Sequence, residues 1–315
     1  MKYRFKSLRH ALANRLKQFT PLRRLYAALF DPERSQQFDL TEWMKQGCNI
    51  GQKHTLKKVI FEAGEAWVTL PNGLEIRYIT EIPGAGVEPC IYRGEYEPEI
   101  TQRLLEQLNN NSTFIDIGAN IGWFSLQAAH RYSDISIHAF EPGDFAYRNI
   151  DKNIERNQFK SQIKLNQQVV SDHCGSEIFS TQQLGHPLNH IIRPHGRSPA
   201  KGTPVEATTL DQYIERHGIT SINLIKCDVE GAEMLVLKGA NKLLKSHQPE
   251  LLLEVNPLWT ARFDYSPEQL WALLKDFGYH YHIIESDGSK RCSGHFANDV
   301  GEGANVYFSA QSKQS

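Results

Sequence analysis

Lys226, Asp228, Glu230 and Glu233 form a K-x-D-x-E-G-x-E run, with Gly231 directly after the second acid. Leu224 and Ile225 lead into it as strand formers, and alternation along a strand brings Lys226, Asp228 and Glu230 to one strand end. Gly231 then releases the chain into a helix read over 232–244. Two carboxylates beside an ammonium can orient a ligand and accept a proton from it, hold a divalent cation, or simply cap the amides of the helix that follows.

A second group lies at 114–125, FIDIGANIGWFS. Phe114, Ile115 and Ile117 read as a covered strand, while Gly118 and Gly122 permit backbone that a Cβ would block. The helix after the turn offers free amides to whatever occupies it. A strand over 135–140 ends in Glu141-Pro142, 25 positions after Asp116, and one over 163–170 ends in Ser171-Asp172. Three polar strand tips in succession describe a nucleoside pocket, with Glu141 where a ribose diol is held. A dinucleotide needs glycine along a G-x-G-x-x-G turn, yet the three positions here are Gly118, Asn120 and Trp123. S-adenosylmethionine (SAM) carries no phosphate and suits the looser turn.

These residues resemble the FkbM-type SAM-dependent methyltransferases. FIDIGANIG at 114–122, AFEP at 139–142, VVSD at 169–172 and LIKCDVEGAEMLVLKGA at 224–240 carry the resemblance, with YRGEYEPE at 92–99 and TTLDQYI at 208–214 as lesser parts. It spans about residues 70–255, and Cys227 stands where an aliphatic residue is commoner. The resemblance implies an α/β fold of the class I SAM-methyltransferase (Rossmann-like) type, an open, mainly parallel sheet of seven strands whose last strand is antiparallel. It further implies O-methylation of sugars, glycans or other hydroxylated metabolites. On this reading Asp116, Gly118, Ala119, Asn120, Gly122, Glu141, Ser171 and Asp172 form the cofactor site. Asp228 and Glu230 are the catalytic carboxylates, Lys226 pairs with them, and His295 in SGHFAND is a reserve base. Tyr96 and Glu97 either close over the cofactor or place a charge ahead of the helix at 98–108. A nicotinamide oxidoreductase and a non-catalytic SAM-binding protein are the alternatives.

The elements that must position these groups fall into three spans. Residues 1–50 are a basic amphipathic helix and connection, 51–110 a strand-rich lead-in and 111–312 the methyltransferase domain. Residues 1–30 hold eight Lys or Arg and no acid, and Phe5, Leu8, Leu12, Leu16 and Phe19 follow helical spacing. Such a helix lies on an anionic membrane surface, docks a partner, or folds onto its own domain. The remainder carries 27 basic against 36 acidic residues, which argues against a nucleic-acid substrate. Pro71-Asn72-Gly73 marks a hairpin turn, and strands are read at 250–255, 280–285 and 305–310. Asn256-Pro257-Leu258-Trp259 resembles an N-P-P-Y signature but follows the wrong strand and lacks the second proline. His186, His190 and His195 lie among prolines in an irregular stretch read as a surface loop, and no metal set is assigned. Five cysteines without C-x-x-C, no membrane-length apolar run and no secretory leader pattern suggest a cytoplasmic protein, peripheral to a membrane if the basic helix binds one.

Overall fold

The structure is a computed structural model, and it describes residues 37–38, 58–63, 65–78, 96–180, 190–192, 202–285 and 288–310. The chain divides into two compact units, Met1–Tyr96 and Glu97–Ser315. The basic helix expected over residues 1–30 lies outside the described residues.

The first unit holds an antiparallel sheet of β1 (Gln37–Phe38), β2 (Lys58–Glu62), β3 (Glu65–Thr69) and β4 (Glu75–Tyr78), paired in chain order. The turn between β3 and β4 forms at the predicted Pro71-Asn72-Gly73: Leu70 N–H donates to Leu74 O, and Leu74 N–H donates to Asn72 Oδ1. Trp67, Val68, Leu70, Leu74 and Ile76 are buried.

The second unit is built on one large sheet. Its strands are β5 (Thr113–Ile117), β6 (Ser136–Phe140), β7 (Ile163–Asn166), β11 (Leu224–Cys227), β12 (Glu250–Val255), β13 (Tyr279–Ile284), β14 (Lys290–Arg291) and β15 (Ala304–Ala310). The order is β14-β13-β15-β12-β11-β5-β6-β7. The run from β12 to β7 is parallel, and β15 inserts antiparallel between β12 and β13. The inserted antiparallel final strand is what the resemblance implies. The sheet has eight strands rather than seven, because Lys290–Arg291 adds an antiparallel edge to β13. Ile115, Ile117, Phe140, Ile225, Leu251, Leu253, Val306 and Phe308 fill the core through the near-continuous apolar runs expected of strands covered on both faces.

Helices α1 (Pro98–Glu106), α2 (Trp123–Arg131) and α3 (Asp144–Arg156) accompany the first strands. Seven of the nine residues of α2 are buried, from Trp123 to Ala129. Further on come α4 (Leu210–His217), α5 (Glu233–Lys238), α6 (Asn241–Ser246), α7 (Pro257–Thr260), α8 (Pro267–Asp276) and α9 (Phe296–Val300). The single helix read over 232–244 is two, because Asp211 of α4 turns its carboxylate on the amides of Lys242 and Leu243 and so caps α6 separately.

The strand read over 163–170 is also divided. It leaves the large sheet after Asn166, whose side chain bonds Ala139 O and Lys164 O. Val169–Val170 (β8) then pairs parallel with β10 (Gly202–Thr208) in a separate sheet completed by β9 (Gly175–Ser180). Ser171 and Asp172 therefore stand at the end of a strand of the second sheet, not on the third tip of the first.

Candidate functional site

The turn after β5 is held from two sides. Gly118 and Ala119 both donate to Phe140 O at 3.0 Å. Gly118 has φ +78, and a Cβ there would lie 1.9 Å from the backbone oxygen of Asp228. Only glycine lets the β5 turn approach the β11 loop so closely. Asn120 is also left-handed, at φ 53. Its amide donates to Glu141 Oε2 at 2.9 Å, and Gly143 N–H donates to Glu141 Oε1 at 2.8 Å. Burial pushes the Glu141 carboxyl up to about 7 even though these two amides favour its ionised form. Glu141 thus ties the glycine turn to the start of α3 and keeps a lone pair on each oxygen for a ligand. Gly122 is the N-cap of α2, and Trp123, at the third fingerprint position, is buried with Nε1 donating to Thr101 Oγ1 at 2.9 Å.

Register brings the acids together. Asp116 pairs with Lys226 across β5 and β11, and Cys227 pairs with Leu253, which sets Asp228 beside Glu254. Glu254 in turn faces Asn305 on β15. Lys226 is 4% exposed, its Nζ lies 3.0 Å from Asp228 Oδ2, and it sits 4.8 Å above the centroid of the Phe124 ring. Burial alone would raise Asp228, but the Lys226 ammonium and a hydrogen bond with Glu254 hold it below the usual carboxylate range. Glu254 goes the other way: burial, then the Asp228 charge and the shared hydrogen bond, push it up to about 10. Asp116 is 0% exposed and raised by burial despite Lys226, and its Oδ2 accepts from Ser125 Oγ at 2.6 Å. Glu97 precedes α1 at φ 41, is raised by burial, feels Lys226 and Asp228, and is hydrogen-bonded to Asn305.

Glu230 is left-handed at φ 59, and Gly231 follows at φ 101, where a Cβ would meet Trp259 O at 2.4 Å. Burial, then Asp228 and Glu233, push the Glu230 carboxyl up to about 8. Glu233 braces this loop, since its Oε1 accepts from Val229 N–H and Gly231 N–H while its Oε2 accepts from Tyr265 O–H. Two buried oxygens of the cluster, Asp116 Oδ1 and Glu230 Oε2, have no hydrogen-bond partner.

The fold thus unites Lys226, Asp228, Glu230, Asp116 and Glu97, and packs Gly118 against Asp228. The other expected site residues stand differently. Ser171 is buried with its hydroxyl donating to Glu177 at 2.8 Å, and Asp172 lies 2.9 Å from His173 Nδ1. Asp172, His173 and Glu177 bring ligand-type atoms within 4.8 Å of one another at this turn. Tyr96, half-buried, is the last residue of the first unit. His295 stands on α9. It is the exposed N-cap of α9, whose Phe296 and Val300 are sunk in the core and whose Asp299 binds Tyr281 and Arg291. Those contacts fix it to β13 and β14, beyond β15 and β12 as counted from β11. Asn256 is the N-cap of α7, its Oδ1 accepting from Leu258 N–H at 2.9 Å. The sequence reading missed Glu254; its signal is a lone acid in the apolar run LLLEV, at the tip of the next parallel strand.

A parallel sheet with an antiparallel strand inserted beyond β12, and a glycine turn meeting acids on its carboxyl edge, defines the class I methyltransferase fold. The chain belongs to the FkbM methyltransferase family, since the profile described as "Methyltransferase FkbM domain" matches residues 116–281. It is 25% identical over 237 residues to the 31-O-demethyl-FK506 methyltransferase FkbM of Streptomyces tacrolimicus, covering 67% of this chain and 87% of that protein. It is likewise 25% identical over 190 residues to the hexuronic acid methyltransferase AglP of Haloferax volcanii, covering 57% and 75%. A solved methyltransferase FkbM from Methylobacillus flagellatus KT matches at 15% identity and a TM-score of 0.40, over 64% of this chain and 44% of that one.

Proposed function

We propose that the protein is a SAM-dependent O-methyltransferase that acts on a hydroxyl of a sugar, a glycan or another hydroxylated metabolite. The observation that carries this reading is the set of carboxyl groups from Glu97, Asp116, Asp228, Glu230 and Glu254 around the Lys226 ammonium, with Asp116 Oδ1 and Glu230 Oε2 buried and unpartnered. A ligand end bearing an ammonium and a sulfonium suits such a set, whereas a pyrophosphate is repelled by it. Bound there, SAM supplies an electrophilic methyl group.

The chain's own residues then have separable roles. Asp116 and Glu97 hold a cationic amino end, and Glu141 accepts from ribose hydroxyls with its spare lone pairs. Lys226 keeps Asp228 ionised, and Asp228 orients the acceptor. Glu230 takes the hydroxyl proton as the new bond forms, its raised affinity for a proton suiting it to that role near neutral pH. One relative's name carries an oxygen-linked position, which supports a hydroxyl acceptor, and the other's a hexuronic acid, which offers hydroxyls and a carboxylate alike.

The test is incubation with methyl-labelled SAM and a panel of hexuronic acids, glycans and hydroxylated metabolites, read by mass spectrometry. An alkali-stable methyl ether is expected. An alkali-labile methyl ester would move the reaction to a carboxylate, SAM binding without product would leave a binding protein, and stabilisation by NAD but not by SAM would favour an oxidoreductase.

A further inference from the structure

Glu230 and Gly231 are consecutive residues with positive φ, 59 and 101. A residue with a Cβ keeps such a backbone only where its surroundings fix it, and here the fixing bonds fall on the peptides that flank Glu230. Glu233 Oε1 accepts from Val229 N–H at 3.1 Å and from Gly231 N–H at 3.2 Å. The Tyr265 hydroxyl lies 2.8 Å from Gly231 O and 3.1 Å from Glu233 Oε2, so one O–H serves both the peptide after Glu230 and the acid that holds the amides on either side of it. The Glu230 carboxyl makes none of these bonds. Its Oε2 is buried without a hydrogen-bond partner, which leaves its direction to the backbone. Tyr265 is itself well placed to act as an anchor. It is 8% exposed and directly precedes Ser266, the N-cap whose capping box starts α8, and Leu270 and Leu274 of that helix are buried in the core. Glu233 is 1% exposed and opens α5.

We propose that Tyr265 is a positioning residue for methyl transfer: through Gly231 O and Glu233 it holds Glu230 in the left-handed conformation that aims its carboxyl into the site, without touching cofactor or acceptor. The inference rests on the reading of Glu230 as the acceptor of the hydroxyl proton. That role demands a carboxyl oxygen within hydrogen-bond reach of the reacting hydroxyl, so a displacement of about 1 Å is felt in kcat. Without the tyrosine hydroxyl, Gly231 O and Glu233 Oε2 lose their shared donor, and the Glu230–Gly231 peptide is free to relax toward right-handed backbone. The groups assigned to the cofactor, Asp116, Glu97 and Glu141, are not held by this brace, so SAM affinity is spared.

Tyr265→Phe removes one oxygen and keeps the ring in the core. In the full chain without ligand, residue-resolved amide hydrogen exchange should quicken at Val229 and Gly231 by about tenfold more than in the core strands β5 and β12, whereas a general loss of stability would speed all of them alike. With saturating SAM and the panel of hexuronic acids, glycans and hydroxylated metabolites as acceptors, kcat should fall about tenfold or more while calorimetric SAM affinity stays within about threefold of the parent. Glu233→Gln is the conservative variant. Its amide oxygen still accepts from both N–H groups and its amide nitrogen donates to Tyr265, which leaves the tyrosine proton to Gly231 O. It should keep the exchange protection and most of the turnover, and Glu233→Leu should lose both. Local loosening in Tyr265→Phe with unchanged kcat, or a kcat loss matched by an equal loss of SAM affinity, overturns the positioning role. Loss of turnover in Glu233→Gln with protection intact also overturns it, because the Glu233 charge would then act in the chemistry itself. A parent that methylates no member of the panel overturns the O-methyltransferase reading, and this proposal with it.

Discussion

Glu230 shows how one residue can be set for two protonation states. Its backbone is left-handed at φ 59, and burial followed by Asp228 and Glu233 pushes its carboxyl up to about 8. Glu141 and Glu233, each pushed up to about 7, behave alike, with burial the leading cause in both. All three bind protons more tightly folded than unfolded, so they stabilise the fold below their unfolded values and that contribution is lost as pH rises through the folded ones. The melting temperature of the free protein should therefore fall between about pH 5 and pH 9, and Glu230→Gln should flatten the upper part of the curve. A melting curve equally steep in that variant would mean Glu230 is not protonated in the folded protein. In turnover, Glu230→Gln and Asp228→Asn should each lose about a hundredfold or more at saturating SAM. Rates within about threefold of the parent in both would move the proton transfer to other residues.

Among the elements, the β5 turn and the β11 loop are one structure, because Gly118 lets the turn touch Asp228 O directly. Gly118→Ala meets both a positive φ and a Cβ position 1.9 Å from that oxygen. The left-handed backbone alone costs about 1–2 kcal/mol for a residue with a Cβ, and the clash forces the loop that carries Asp228 to shift. Thermal unfolding should show a loss of at least that size, and SAM affinity should fall with it. An alanine variant with parent stability and affinity would separate the turn from the loop. Such contacts join residues 110 positions apart, which is why the motif at 114–122 is readable in the sequence while its dependence on Asp228 is not. The same is true of β7 and β8. The apolar pattern over 163–170 runs on, but Asn166 spends its side chain on Ala139 and Lys164 and β10 offers Val169–Val170 a different partner.

On the scale of the molecule, charge is divided along the chain. Residues 1–30 hold eight basic residues and no acid, while the second unit brings Glu97, Asp116, Asp228, Glu230 and Glu254 together around Lys226. No helix among the described residues is long and apolar enough to cross a membrane. Deleting residues 1–30 should leave SAM affinity unchanged and lower binding to vesicles containing anionic lipid at low salt. Sedimentation with such vesicles checks this, and equal binding by the full and truncated chains would remove the membrane role from that segment.

The sequence by itself determined the class of fold and the motifs that mark it. Apolar strand runs, the glycine turn, Glu141 at a strand tip and the K-x-D-x-E-G-x-E run are local patterns, legible because burial and backbone geometry act over a few neighbouring residues. The tertiary structure decided which acids share an environment. Register alone set Glu254 beside Asp228 and Asn305 within reach of Glu97, and it sent Ser171 and Asp172 to a second sheet and His295 to the far edge of the first. Proton affinity follows from burial and from charges contributed by different strands, so the protonation of this site exists only once the strands are paired.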